Sequence, residues 1–174
     1  PSRLVGSEMC IRDRCDDEDE LIKRFLVFWE DTKPDVITGW NSKFYDLPYL
    51  IHRIQTRFGE KEIKRLSVWK SVFKDSIYIA GREHICYEIK GLEQLDYLDL
   101  YKKFTYSAQE SYRLDHIAFV ELGEQKEKNP FNTFREWYQN DYQSFIDYNI
   151  QDVELVDKLE DKMKLIELLL TMAY

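Results

Sequence analysis

The chain has 174 residues, a net charge of −8, 44% hydrophobic residues and 15% aromatics. That is enough apolar material for one domain with a core, and it excludes an intrinsically disordered segment. The acidic balance argues against a nucleic-acid binder held by bulk charge, but not against an enzyme that meets phosphates through carboxylate-bound cations.

Residues 1–14 show no usable hydrophobic period and do not lead into the acidic run after them. They resemble the translation of a sequencing-adaptor read. We therefore set 1–14 aside as a non-native scar and take 15–174 as the natural part, expected to be a piece of a longer protein. The acidic run Asp16 to Glu20 precedes Leu21, Ile22, Phe25, Leu26 and Trp29. Acids at the start of an amphipathic segment favour the positive end of a helix, so a helix over about 17–31 is expected. The pair Asp16-x-Glu18 is not read as a metal motif, because no strand surrounds it to hold two carboxylates rigidly.

Val36 and Ile37 come after the turn signal Pro34-Asp35 and predict a short buried strand. Gly39 and Asn41 mark its exit. Pro48 suits the first turn of a helix, and Leu50, Ile51, Ile54 and Phe58 recur at helical spacing. Asp46 thus falls at a strand-to-helix junction, where open α/β sheets keep their ligand sites. It can cap the helix or face a site, and the stretch alone leaves both open.

Ile77 to Ile79 and Ile85 to Ile89 flank Gly81-Arg82 and predict a hairpin, either an inert surface feature or an arm touching something outside the core. Leu95 to Tyr101 reads as a strand. On a strand Asp96 and Asp99 would lie on opposite faces, so at most one could serve a site, and the expectation is that neither does. Leu114, Ile117 and Ala118 predict a short helix, Gly123 to Pro130 a charged loop, and Asn132 to Asn140 a helical turn carrying Trp137. From Tyr142 one long helix is expected, with Phe145, Tyr148, Asp152, Leu155, Leu159, Met163, Ile166 and Leu169 on its inner face. Tyr148 and Asp152 are four residues apart and share that face, where a carboxylate is costly unless paired or metal-bound.

Asp46 and Asp152 are therefore the two acids out of place. Hard oxygen donors suit Mg²⁺ or Mn²⁺. Two such ions can generate a hydroxide and stabilise a leaving oxygen in phosphodiester hydrolysis. The scattered Cys10, Cys15 and Cys86 indicate neither a zinc site nor a disulfide framework. An intracellular setting is expected, with no apolar run approaching bilayer length and no secretory leader.

Thr38-Gly39-Trp40-Asn41 followed by Tyr45-Asp46-Leu47-Pro48-Tyr49 resembles the Exo II motif of family B DNA polymerases. Tyr148-Asn149-Ile150-Gln151-Asp152 resembles their Exo III motif. Leu95 to Phe104 and the ending Ile166 to Tyr174 resemble the T-even phage branch, and the likeness runs from about residue 17 to the end. The resemblance implies an α/β, RNase H-like 3′–5′ exonuclease domain that proofreads new DNA, with a β-hairpin insertion and a long C-terminal helix. It implies metal-ligating carboxylates at Asp46 and Asp152, with Tyr148 positioning the attacking water. Asn41, Phe44 and Tyr45 would lie near the single-stranded 3′ end of primer DNA. Tyr45 stands where the family usually has Phe; either ring can stack on a base. The hairpin would help pass the primer strand to the exonuclease site.

Besides Tyr45 in place of Phe, the chain departs from the family pattern upstream of Exo II. The family's Exo I Asp-x-Glu, which supplies two further ligands upstream of Exo II, has no counterpart before residue 36. The domain is therefore expected to be truncated at its N-terminal strands and inactive by itself. Its partners would be the remaining N-terminal and polymerase domains of the parent chain, in the host cytoplasm if phage-encoded, with no membrane. Two rivals are a non-catalytic nucleic-acid-binding module of the same fold and a helical interaction protein in which Asp46 is only a cap.

Overall fold

The computed structural model describes residues 15–79, 81–124 and 129–173. The segment read as a scar, residues 1–14, lies outside the described residues, as does part of the expected loop at 123–130. Elements of both classes are present, with helices predominating. The described residues up to Asp99 form one compact unit and those from Leu100 another.

The first unit begins with α1, Glu18–Thr32. Asp17 caps it by accepting from the Glu20 amide at 2.8 Å, while the Glu20 carboxylate reaches back to the Asp16 amide at 2.7 Å. Asp17 thus satisfies one of the first helix amides, and Glu20 ties the residue before the cap to the same turn. Glu18 accepts from Arg53 Nε at 2.6 Å and Asp19 from Arg57 Nε at 2.6 Å, tying α1 to α2. The parallel strands β1, Val36–Gly39, and β4, Glu93–Asp96, pair with Gly39 opposite Asp96. Between them lie α2, Asp46–Phe58, the short α3, Glu60–Ile63, and the antiparallel hairpin of β2, Val72–Ile79, and β3, Arg82–Ile89. The hairpin is longer than its β-branched segments predict. Ile22 and Leu26 of α1 pack with Leu47, Ile51 and Ile54 of α2, and Ile63, Leu66 and Ile89 complete this core.

The expected strand over Leu95 to Tyr101 is corrected by the structure. Only its start is strand; the chain then forms α4, Tyr97–Phe104. Tyr97, Leu100 and Tyr101 are buried at helical spacing, and the Asp96 carboxylate accepts from the Leu98 amide at 3.0 Å, which starts the turn. The opposite-face argument for Asp96 and Asp99 therefore does not apply, since Asp99 is helical.

The second unit is helical: α5, Leu114–Leu122; α6, Phe134–Asn140; α7, Tyr142–Met163; α8, Leu165–Ala173. Both α5 and α6 pack on α7. The one long helix expected from Tyr142 is broken at Lys164, which adopts a left-handed conformation with φ of 54°. Glu160, buried near the end of α7, accepts from the amides of Ile166 at 3.1 Å and Glu167 at 3.3 Å, capping α8. Among the described residues no helix is long and apolar enough to cross a membrane.

Candidate functional site

Asn41, Phe44, Tyr45 and Asp46 all lie in the first unit, on the turn from β1 to α2. Gly39 ends the strand where a Cβ would meet Ser42 Cβ at 3.0 Å, so any side chain there would require Ser42 to shift by a few tenths of an ångström. Asn41 is left-handed, with φ of 64°, a conformation Asn tolerates better than most side chains. The turn is tied down by Asp96 at the end of β4. Its Oδ1 accepts from the Asn41 amide and its Oδ2 from the Lys43 amide, each at 3.0 Å. Thr38 Oγ1 adds a bond of 2.7 Å to the Leu95 carbonyl. Asp96 is only 4% exposed, and that burial pushes its carboxyl above the usual range while the three backbone amides pull it back.

Tyr45 is the residue before α2 and makes no side-chain cap bond; Asp46 opens the helix. Burial pushes the Asp46 carboxyl up even though the residue lies at the surface, and the nearby charge of Asp96 pushes the same way. Tyr45 is 70% exposed and Tyr49, one turn further along α2, 63%. Phe44 instead turns toward the hairpin, with its ring edge-on to His84 of β3 at 5.6 Å. The hairpin itself leaves Phe73, Tyr78, Ile79 and Ile85 exposed. A cleft of about 310 Å³ bordered by Trp29, Glu30, Arg65 and Lys70 contains none of the expected site residues.

Tyr148 and Asp152 lie in the second unit, half-buried on α7. The helical spacing places them on one face, as expected. The Tyr148 ring packs at 4.9 Å from that of Trp137 and 5.9 Å from that of Phe134, both on α6. Trp137 is fully buried and donates from Nε1 to Ser144 Oγ at 2.9 Å, which joins α6 to the first turn of α7. Phe145 closes against Trp137 at 5.9 Å.

Carboxylates have the right chemistry for Mg²⁺ or Mn²⁺, since both ions prefer hard oxygen donors. Among the described residues no group of three or more His, Cys, Asp or Glu is placed to hold a metal ion. Sequence reading alone did not find the roles of Asp96, Trp137 and Glu160. The first was visible only as an acid in an alternating segment; the third carried no signal, because its partners are amides beyond a helix break.

Residues 3–117 match the family model described as DNA polymerase family B, exonuclease domain. The chain is 40% identical over 164 residues to a DNA-directed DNA polymerase of Escherichia phage RB69, covering 91% of this chain and 18% of that protein. Against a DNA-directed DNA polymerase of Enterobacteria phage T4 the identity is 36% over 164 residues, with the same coverage. A DNA polymerase delta catalytic subunit of Candida albicans is 29% identical over 133 residues, 72% of this chain and 12% of that protein. The chain thus spans less than a fifth of the length of these curated relatives.

Proposed function

Because the chain belongs to the exonuclease-domain family of the family B DNA polymerases, we propose that it is part of a proofreading 3′–5′ exonuclease in an RNase H-like domain. The parent enzyme would remove the 3′-terminal nucleotide of a mispaired primer in the cytoplasm of its host. The observation that carries this reading is the turn from β1 to α2. It presents Asp46 at a strand–helix junction beside an exposed aromatic, Tyr45, in the order the Exo II motif requires. Within the family, Asp46 and Asp152 would ligate divalent ions, and Tyr148 would hold the attacking water. Asn41, Phe44 and Tyr45 would engage the single-stranded 3′ end.

Tyr45 supports this role physically, because an exposed ring can stack on a base whatever its identity. Phe44 acts differently: its contact with His84 links the turn to the hairpin, so the hairpin is suited to guide the strand toward Asn41 and Tyr45. Divalent ions, when bound, would activate water and stabilise the leaving oxygen. Among the described residues no third His, Cys, Asp or Glu is grouped with these carboxylates to hold an ion. We propose accordingly that these 174 residues bind single-stranded DNA without cutting it.

The test uses the purified chain and a 5′-labelled single-stranded oligonucleotide. With Mg²⁺ or Mn²⁺ present, no shortening of the label is expected. Tyr45→Ala should weaken binding about tenfold, the loss of one stacked base. Shortening that disappears in Asp152→Ala would overturn the inactive reading. Unchanged binding in Tyr45→Ala would overturn the assignment of the substrate face.

A further inference from the structure

We infer that Asp96 is a positioning residue: its buried carboxylate fixes the turn that presents Asn41, Tyr45 and Asp46, without touching metal or DNA itself. The inference rests on the substrate face proposed above. Three backbone amides, those of Asn41, Lys43 and Leu98, converge on its two oxygens at 3.0 Å each. A carboxylate so engaged at 4% exposure has its oxygens directed at protein, not at solvent. The two amides from the turn bracket Ser42, and the chain continues by backbone bonds from Tyr45 N to Asn41 O and from Leu47 N to Ser42 O into α2. A chain of direct bonds therefore runs from Asp96 to the residues on either side of Asp46.

Asn41, whose amide the carboxylate accepts from, is in the left-handed conformation. Few side chains could replace this carboxylate. Two separated amides require an acceptor at both positions, which an aspartate offers and an asparagine does not. The register adds a second constraint. Asp96 faces Gly39 in the β1–β4 pair, so the strand pairing delivers the carboxylate to the point where β1 ends. The sheet and the turn are thus locked by a single residue on the neighbouring strand.

The sign of the effect on DNA binding distinguishes positioning from charge. Replacing any acid near a polyanion by its amide removes repulsion and should by itself tighten binding. Binding of the full chain to fluorescein-labelled oligo(dT) in EDTA should therefore be tighter in Asp46→Asn. It should be at least about fivefold weaker in Asp96→Asn, since a charge-assisted bond to the turn is lost. In the same variant, hydrogen exchange at the Asn41 and Lys43 amides should speed up about tenfold, while melting stays cooperative. Tighter binding in Asp96→Asn, or unchanged exchange at both amides, overturns the inference. If the wild-type chain does not bind oligo(dT), the substrate reading fails instead, and exchange alone decides the role of Asp96. Should Asp96→Asn not fold, the wild-type amides remain diagnostic: exchange of Asn41 and Lys43 at unprotected rates overturns the inference, and strong protection supports it. Asp96→Glu, which keeps the charge but moves the oxygens, then serves as the binding variant and is expected to weaken binding.

Discussion

The turn between β1 and α2 keeps its shape through directional bonds to one buried carboxylate, whereas the segment of α7 around Tyr148 keeps its place through packed rings. The contrast arises from the backbone. A helix satisfies its own amides, so a side chain on it needs only a surface to pack against. A turn leaves amides without partners, and a neighbouring strand must supply the acceptor. In this chain the acceptor is Asp96, and the packing surface is the Phe134–Trp137–Phe145 cluster. One region therefore depends on the position of a few atoms, the other on the volume of a few rings.

The largest expected effect is on the ring cluster. Trp137→Ala removes a fully buried indole and its bond to Ser144, and should cost about 3–5 kcal/mol in a urea titration. It should also free the Tyr148 ring, detectable as a change in tyrosine and tryptophan fluorescence. A cost below that of any polar change in the turn would break the comparison. Asp96→Ala comes next. It leaves three amides without their acceptor, and about 3 kcal/mol is expected from the same titration. The loss should be local, with exchange at α2 amides beyond its first turn little altered. Thr38→Val removes one hydroxyl bond to the Leu95 carbonyl and should cost about 1 kcal/mol, sharpening how much of the β1–β4 junction rests on Asp96 alone.

The smallest effect concerns ionic ties in the first unit. Glu30 accepts from Arg65 at 2.7 Å and Lys70 at 3.1 Å, and these bonds hold its carboxyl down to about 2. The folded state thus favours the charged form. Its contribution is complete above the ordinary glutamate value of about 4.3 and is lost as pH falls toward about 2. With the side chain a third exposed, screening keeps the contribution below about 1 kcal/mol. Glu30→Gln should flatten the pH dependence of stability in that window and change little at high salt. An unchanged profile would show that the ionic ties contribute nothing measurable.

Much of the chain was legible in its sequence, because the relevant physics is local. The acidic run before an apolar period marked α1, and a Gly-containing break between β-branched segments marked the hairpin. Pro48 with Leu50, Ile51 and Ile54 marked α2, which placed Asp46 at a strand–helix junction. A spacing of four residues was enough to put Tyr148 and Asp152 on one face of α7. Tertiary structure decided the rest. Leu95 to Tyr101 satisfies a strand period and a helical period equally, and pairing of Gly39 with Asp96 fixes where one ends and the other begins. The apolar pattern from Tyr142 continues through Lys164, but the helix does not, since Glu160 caps a new one. Most of all, an acid in an alternating segment gives no sign of which amides will reach it. Asp96 lies 55 residues from Asn41 in sequence, and its support of the turn of Asp46 emerges only when β4 is laid beside β1.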